Sequence, residues 1–496
     1  MKKRLLILIP FLLFIANPIM AEEKPDIKEE IIYDILVDRF SIGNQALNEH
    51  VRPDDPLAYH GGDIVGITKK LDHIEELGFT TIMLSPIMDN AEDGYHGYWV
   101  KDFYTVEEQL GTMEDMEKLV EEAHGRGIKV ILEFAPNYVS IAHPFVDEAD
   151  KADWFMENER KTSPATEWLD EVAVLNTENE EVVDYLIDVG EFWQEELDID
   201  GFKLQDADVA SDRFLSRFAE TIKGNDPDFY LLAGISEENE DHEAVLNEAY
   251  FDGMDNQAIM EKMNDVFTEP DKPVSVLYDE LLEHNEQTNL LRVDHKNAAR
   301  FSNNFADKGR NALTTWKLAM TYMYTTPGVP VIYQGSEVPM YGPGFPENQS
   351  LVEFTSIDPD LEEFYGQVSS LRKEFPVLVH GDIELVDSSG AMSLFKRTFE
   401  GESIYVAINN DEETQTITVE DVESGEQLMG VLGDNLIREN SEGEFRVSVP
   451  RETAEVFIVE EDAGLNWWLI GFIGAVFALF IFFINFASRN TKKEAS

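Results

Sequence analysis

Cysteine is absent from the chain, which excludes disulfides, thiolate metal sites and cysteine nucleophiles together. Basic side chains are scarce: 38 Lys and Arg stand against 99 Asp and Glu, a formal charge of −61. Phosphate backbones are held by Lys and Arg, so nucleic acid is excluded as a main partner. The acids are spread along the chain rather than gathered in one block. That distribution reads as a solvated acidic surface of the kind suited to a salty or alkaline exterior. What is present is core material: 43% of the 496 residues are hydrophobic and 11% aromatic, enough for two or more domains.

Long apolar runs occur only at the two ends. Lys2, Lys3 and Arg4 precede an apolar run over residues 5–16 and then Asn17-Pro18-Ile19-Met20-Ala21. This predicts a secretory signal over residues 1–21, cleaved after Ala21. Residues 467–486 are apolar apart from Asn485, matching the roughly 20 residues that a bilayer requires. Trp467 and Trp468 suit an outer interface, and Arg489, Lys492 and Lys493 follow the run. The expectation is a transmembrane helix over 467–486 and a cytoplasmic tail over 487–496. The protein is then a single-pass cell-membrane protein with its bulk extracellular.

Between these ends, residues 30–375 alternate β-like runs with amphipathic helical patterns, the signature of a parallel sheet built from βα units. Ile67, Leu71, Ile74 and Leu77 recur at helical spacing, Gly78 closes the helix, and Thr80-Thr81-Ile82-Met83-Leu84 reads as a buried strand. Thr112 with Asp115 opens a helix carrying Met113, Met116, Leu119, Val120 and Ala123 on one face, and Gly125 and Gly127 stop it before a strand over 128–134. Residues 138–176 lack clear periodicity and predict a loop-rich insertion after the third strand. Over residues 376–460 the pattern changes to short alternating runs between turn residues, which predicts a separate antiparallel β domain.

Four motifs stand in order along the first part: Val37-Asp38-Arg39-Phe40, His60-Gly61-Gly62-Asp63, Gly94-Tyr95-His96-Gly97-Tyr98-Trp99 and Gly328-Val329-Pro330-Val331-Ile332-Tyr333-Gln334-Gly335-Ser336-Glu337. In these the chain resembles glycoside hydrolase family 13, the α-amylase family. The resemblance implies a (β/α)8 TIM barrel, a short inserted domain after strand 3 and a C-terminal antiparallel β-sandwich. It also implies retaining hydrolysis of α-glucans by a nucleophilic carboxylate, an acid–base carboxylate and a third stabilising acid.

At the positions to which the resemblance assigns those roles, this sequence has other groups. Gly201-Phe202-Lys203-Leu204-Gln205 puts an amide at the nucleophile position and Lys203 in place of an arginine. Leu232-Ala233-Gly234-Ile235 puts an apolar side chain at the acid–base position, and Asp294-His295-Lys296 puts a cation at the stabiliser position. Glu133 and Tyr138 stand for the family's Asp and His, Asn137 is retained, and Val174 stands for an aspartate of the usual calcium site. Hard cations need oxygen ligands, so no metal and no other cofactor is expected.

The sequence therefore predicts an inactive member, a pseudoenzyme that binds a glycan or a neighbouring membrane protein without cleaving. The alternative is an active α-glucan hydrolase whose acids have moved to Asp206, Glu237 and Asp294. Side chains alternate along a strand, so Asp206 faces away from the cleft unless the backbone is irregular there. His96, Tyr98, Trp99 and His295 are the expected substrate-binding wall, since aromatic faces stack on sugar rings. The partners foreseen are an α-glucan or other glycan, and the membrane through the C-terminal helix.

Overall fold

The computed structural model describes residues 26–47, 51–157, 170–235, 250–285, 287–433 and 435–462, with Gly464 and six positions between 472 and 480. Eight short strands close a barrel: β1 Ile32–Ile35, β2 Thr81–Leu84, β3 Lys129–Phe134, β4 Gly201–Leu204, β5 Tyr230–Ala233, β6 Gly253–Asp255, β7 Asn289–Leu291 and β8 Val329–Tyr333. Each strand pairs in parallel with its successor, and β1 closes the ring on β8 with Ile32 beside Val331 on one side and Thr81 on the other.

The strands are apolar on both faces because both are covered. Ile32, Met83, Ile131, Tyr230, Leu232, Leu290, Val329 and Val331 form one buried cluster that fills the lower lumen. Their neighbours Tyr33, Ile82, Leu132, Phe202 and Leu231 belong to the larger cluster shared with the surrounding helices. The helix Met113–His124 begins as its sequence predicts, with the Thr112 and Asp115 side chains each accepting from the other's backbone N–H. The helical stripe from Ile67 to Leu77 is interrupted: Ile64–Thr68 and Leu71–Glu76 are separate helices, and Gly78, at φ +86°, turns the chain into β2. Within the insertion, Tyr138–Ser140 and Phe155–Met156 pair antiparallel with Val172–Leu175, a small sheet that the sequence pattern did not signal.

The C-terminal region is antiparallel. Asp382–Ser389, Met392–Phe399, Glu402–Asn409, Thr453–Glu461, Glu426–Gly430 and Leu436–Arg438 form a six-stranded sheet in that order, and Gln415–Val419 pairs with Phe445–Val449. Met392, Leu394, Tyr405 and Ala407 from the first sheet meet Ile417, Val419, Phe445 and Val447 from the second in a core of their own.

The expected membrane-spanning helix is corrected. Among the described residues no helix is long and apolar enough to cross a membrane. Most of residues 467–486, the signal over 1–21 and the tail over 487–496 lie outside the described residues. The fold stands as a barrel with a β domain and, among the described residues, no transmembrane helix, and the single-pass placement and membrane partners inferred from that helix are not carried further.

Of two buried arginines at the seam, Arg397 ties the β domain to the barrel and Arg372 braces the barrel beside it. Arg397 donates to the carbonyls of Thr325, Leu378 (2.9 Å) and Gly381 (2.6 Å). Arg372 donates to those of Tyr324 (2.9 Å), Lys28 (2.8 Å) and Gly328 (2.6 Å). Both therefore crowd the C-terminal end of the helix Ala312–Thr325, where unpaired carbonyls carry the negative end of the helix dipole. Burial, and for Arg397 the neighbouring Arg372 charge, pushes these guanidiniums down to about 9 for Arg397 and about 10 for Arg372. Replacing Arg397 by Met strips donors from three buried carbonyls and should cost about 2–4 kcal/mol. The urea midpoint should fall with an unchanged slope; an unchanged midpoint would show that the guanidinium contributes nothing net.

Candidate active cleft

The lumen changes character one layer above the apolar cluster. Side chains two residues apart share a strand face, so Asp34 follows Ile32 inward, Glu133 follows Ile131, and Arg292 follows Leu290. With Lys203 and Asp255 at the ends of β4 and β6, they make a buried layer of charge. Arg292 reaches Asp34 at 3.0 Å and Asp255 at 2.6 Å, and Lys203 reaches the other oxygen of Asp255 at 2.6 Å. On the opposite side Lys296 meets Glu133 at 2.5 Å, and the Tyr98 hydroxyl donates to the same carboxylate at 2.8 Å. Burial raises the Asp255 carboxyl, but the Arg292 and Lys203 charges outweigh it and hold the group well below the ordinary range. Glu133 behaves alike: burial opposes its ionisation, and Lys296 with Lys203 brings it below its usual value.

Gln205 directly follows β4, its N–H donating to the Phe134 carbonyl at 2.8 Å. At Asp206 the backbone turns into the left-handed region, with φ 51° and ψ 46°. This irregularity removes the alternation that would turn Asp206 away. Gln205 Nε2 donates to Asp206 Oδ1 at 2.7 Å, so the two neighbouring side chains lie together. Tyr138 donates its hydroxyl to Asp206 Oδ2 at 3.0 Å, and Asn137 Nδ2 donates to the Asp206 carbonyl at 2.8 Å. Ile235 stands half-buried just past β5, and Glu237 lies outside the described residues. Asp294 is buried and committed to structure: its oxygens accept from the Phe301 N–H and from Ser336 Oγ at 2.6 Å, with Arg300 at 3.5 Å. The relocated set expected to include Asp294 therefore loses that member.

The expected binding wall divides by depth. Trp99 and His295 are half-buried, whereas Tyr98 and His96 are buried at 2% and 7% exposure. The His96 ring stacks on Tyr98 at 5.3 Å and meets Trp99 edge-on at 4.8 Å. Burial, and then the Lys296 and Arg39 charges, pushes His96 down to about 3, so it is neutral. His295 is held well below its ordinary value by burial, Arg292 and Lys203. The sequence reading missed Asp34, Asp255 and Arg292; for Asp34 and Arg292 the signal was a charged residue two places beyond an inward apolar one, Ile32 and Leu290, in a barrel strand.

The calcium site of the family does not fit these residues. Asn137 directs its amide N–H, not its oxygen, at the neighbouring carbonyls, and Val174 pairs with Tyr138 in the small sheet. Calcium requires about six to eight oxygens, and among the described residues no cluster of His, Asp or Glu is arranged to hold a metal ion.

A closed parallel barrel with a polar, carboxylate-lined mouth and a β-sandwich behind it defines a glycosidase-type architecture. Residues 34–374 match the model of the α-amylase catalytic domain and residues 381–457 that of the α-amylase C-terminal domain. The chain belongs to the α-amylase family, glycoside hydrolase family 13. It is similar to a cyclomaltodextrinase of Thermoanaerobacter pseudethanolicus, 29% identical over 427 residues, which cover 80% of this chain and 73% of that one. It is 30% identical over 434 residues to neopullulanase 2 of Thermoactinomyces vulgaris, covering 80% and 72%. The solved structure of an Anoxybacillus α-amylase superposes with a TM-score of 0.84 at 35% identity, over 89% of this chain and 100% of that one.

These relatives correct the expected pseudoenzyme. They bear enzyme names over most of the chain's length, and the hydrolytic alternative fits them better than binding without cleavage.

The depressed histidine generates a pH prediction. Between pH 6.5 and about 3 the unfolded chain binds a proton at His96 that the folded chain refuses, so stability falls as pH falls through that window. His73 and His143, both near 4, and His295 act in the same direction. Replacing His96 by Asn should make the loss shallower by up to about 1.4 kcal/mol per pH unit. Urea midpoints at several pH values between 7.5 and 4.5 measure the slope; parallel curves for the two proteins would refute the assignment.

Proposed function

We propose that the chain is an α-glucan hydrolase whose carboxylate chemistry runs from Asp206 and Glu237. The observation that carries this reading is the left-handed turn at Asp206, which sets its carboxylate beside the Gln205 amide at 2.7 Å. The Tyr138 hydroxyl and the Gln205 amide each bind one of the Asp206 oxygens. Glu237 lies two residues beyond Ile235 in the sequence, the same parity along the chain. In this reading Asp206 attacks the anomeric carbon or activates water, and Glu237 protonates the departing oxygen.

The other acids are already engaged. Glu133 answers Lys296, and Asp34 and Asp255 answer Arg292 and Lys203. The same pairing tempers the cation at Lys296, which would otherwise repel a positively charged sugar centre. Trp99 and His295 supply partly exposed ring faces for the sugar. The names of the relatives suggest cyclic and linear α-glucans as substrates to try.

The test is reducing-end release by the purified full chain from maltoheptaose, a cyclomaltodextrin and pullulan. The unmodified protein should cleave at least one of them, and Asp206→Asn and Glu237→Gln should each lower the rate by about a thousand-fold or more at an unchanged unfolding midpoint. No release at high protein concentration, or full activity in Asp206→Asn, would overturn the reading.

A further inference from the structure

Away from the cleft floor, the loop carrying Arg52 and Tyr59 meets the hairpin made by Met88–Asn90 and Val100–Val106 around a pocket of about 550 Å³. Its lining holds five carboxylates against two cations, three in excess. The cations stand at the rim: Arg52 pairs with Asp93 at 2.5 Å and Lys101 with Asp89 at 3.2 Å, with Arg52 53% and Lys101 37% exposed. The inner groups are different. Tyr59 and Asn90 are 6% and 4% exposed, and among the described residues neither the Tyr59 hydroxyl nor Asn90 Oδ1 has a hydrogen-bond partner.

The orientation of the Asn90 amide is fixed by its nitrogen, which donates to the Met88 carbonyl at 2.6 Å, so an acceptor oxygen is what remains. Beside it Glu107, also buried, accepts from the backbone N–H of Asn90 at 2.8 Å and of Gln109 at 3.0 Å. Each of those oxygens keeps a second lone pair. A buried polar group without a partner is destabilising. Two such groups at the inner end of a pocket with excess negative charge mark a place shaped for a donor.

We propose that this pocket binds the ammonium group of a small aliphatic amine. An –NH3+ carries three donors and one positive charge, matching Asn90 Oδ1, the Tyr59 oxygen and the Glu107 carboxylate. Compact metal ions are a poorer match, because among the described residues no three His, Asp or Glu side chains are grouped to hold one. A neutral sugar leaves the excess charge unanswered. The Tyr59 phenol, pushed well above its ordinary value by burial and by Glu107, Asp89 and Asp93, sits in the same negative field.

The probe is 1,4-diaminobutane, titrated calorimetrically into the full chain at about 0.15 M salt, where diffuse attraction to the acidic surface is screened. Saturable one-site binding is expected. Tyr59→Phe and Glu107→Gln should each weaken it about five-fold or more, and Tyr59→Phe should not lower the unfolding midpoint, since the hydroxyl it removes is unpartnered. Glu114→Gln with Glu117→Gln, on the acidic face of the helix Met113–His124, should leave the affinity unchanged. Absence of saturation, equal affinity in the Tyr59 and Glu107 variants, or displacement of the amine by calcium or glucose at comparable concentration would each overturn the proposal.

Discussion

The pairing of three buried cations with two buried carboxylates and the half-buried Asp255 at the top of the lumen is the constraint on which the mouth of this barrel depends. Lys203, Arg292 and Lys296 face Asp34, Glu133 and Asp255, and every one of the six is partnered. Removing one member of a buried pair strands the other in a poorly solvating interior, at about 3–5 kcal/mol. The layer must therefore be kept or lost as a set. It also places what lies above: the Lys296 carbonyl accepts from both Asn348 and Gln349, at 2.7 Å each, so the loops after β7 and β8 are built around that lysine.

The same layer explains why the acids at strand ends are not interchangeable. Lys203 occupies a position from which a longer, forked guanidinium could orient the residue at 205, but its ammonium goes instead to Asp255. Gln205 is left to the adjacent carboxylate, and the contact it makes with Asp206 is local to one turn of backbone. Charge that sits on the floor closes the barrel, while Asp206, one residue beyond Gln205, accepts from the Tyr138 hydroxyl and the Gln205 amide.

Much of the scaffold was legible in the chain. The period-3.6 stripe from Met113 to Ala123 and the Thr112–Asp115 cap gave a helix within a residue of its observed ends, because local hydrogen bonding and one apolar face decide it. The short β runs of residues 376–460 were visible by alternation, and Asp382–Ser389 starts with the same alternation, Ile383 and Leu385 half-buried between exposed Asp382 and Glu384, whereas Leu436–Arg438 is too short to show one. The cleft was less legible. Alternation misplaces Asp206 because no residue type announces a left-handed aspartate, and Tyr98 reads as a wall residue although its ring is covered and its hydroxyl answers Glu133. Asp294 resembled a spare catalytic acid, and only the positions of Ser336 and Phe301 reveal it as a brace. The apolar run over 467–486 suggested a span, yet no described helix is one.

The arginines at the seam have a further consequence for how such a chain can be cut or recombined. Arg397 belongs to the β domain, but the carbonyls it serves include the last of a barrel helix, and Arg372 of the barrel serves carbonyls beside the same junction. A boundary drawn near residue 376 would therefore remove the Arg397 donors from the end of the helix Ala312–Thr325. Grafting this β domain onto another barrel would carry over a shape without its lock, and the two halves would be inherited as one unit of melting and of descent.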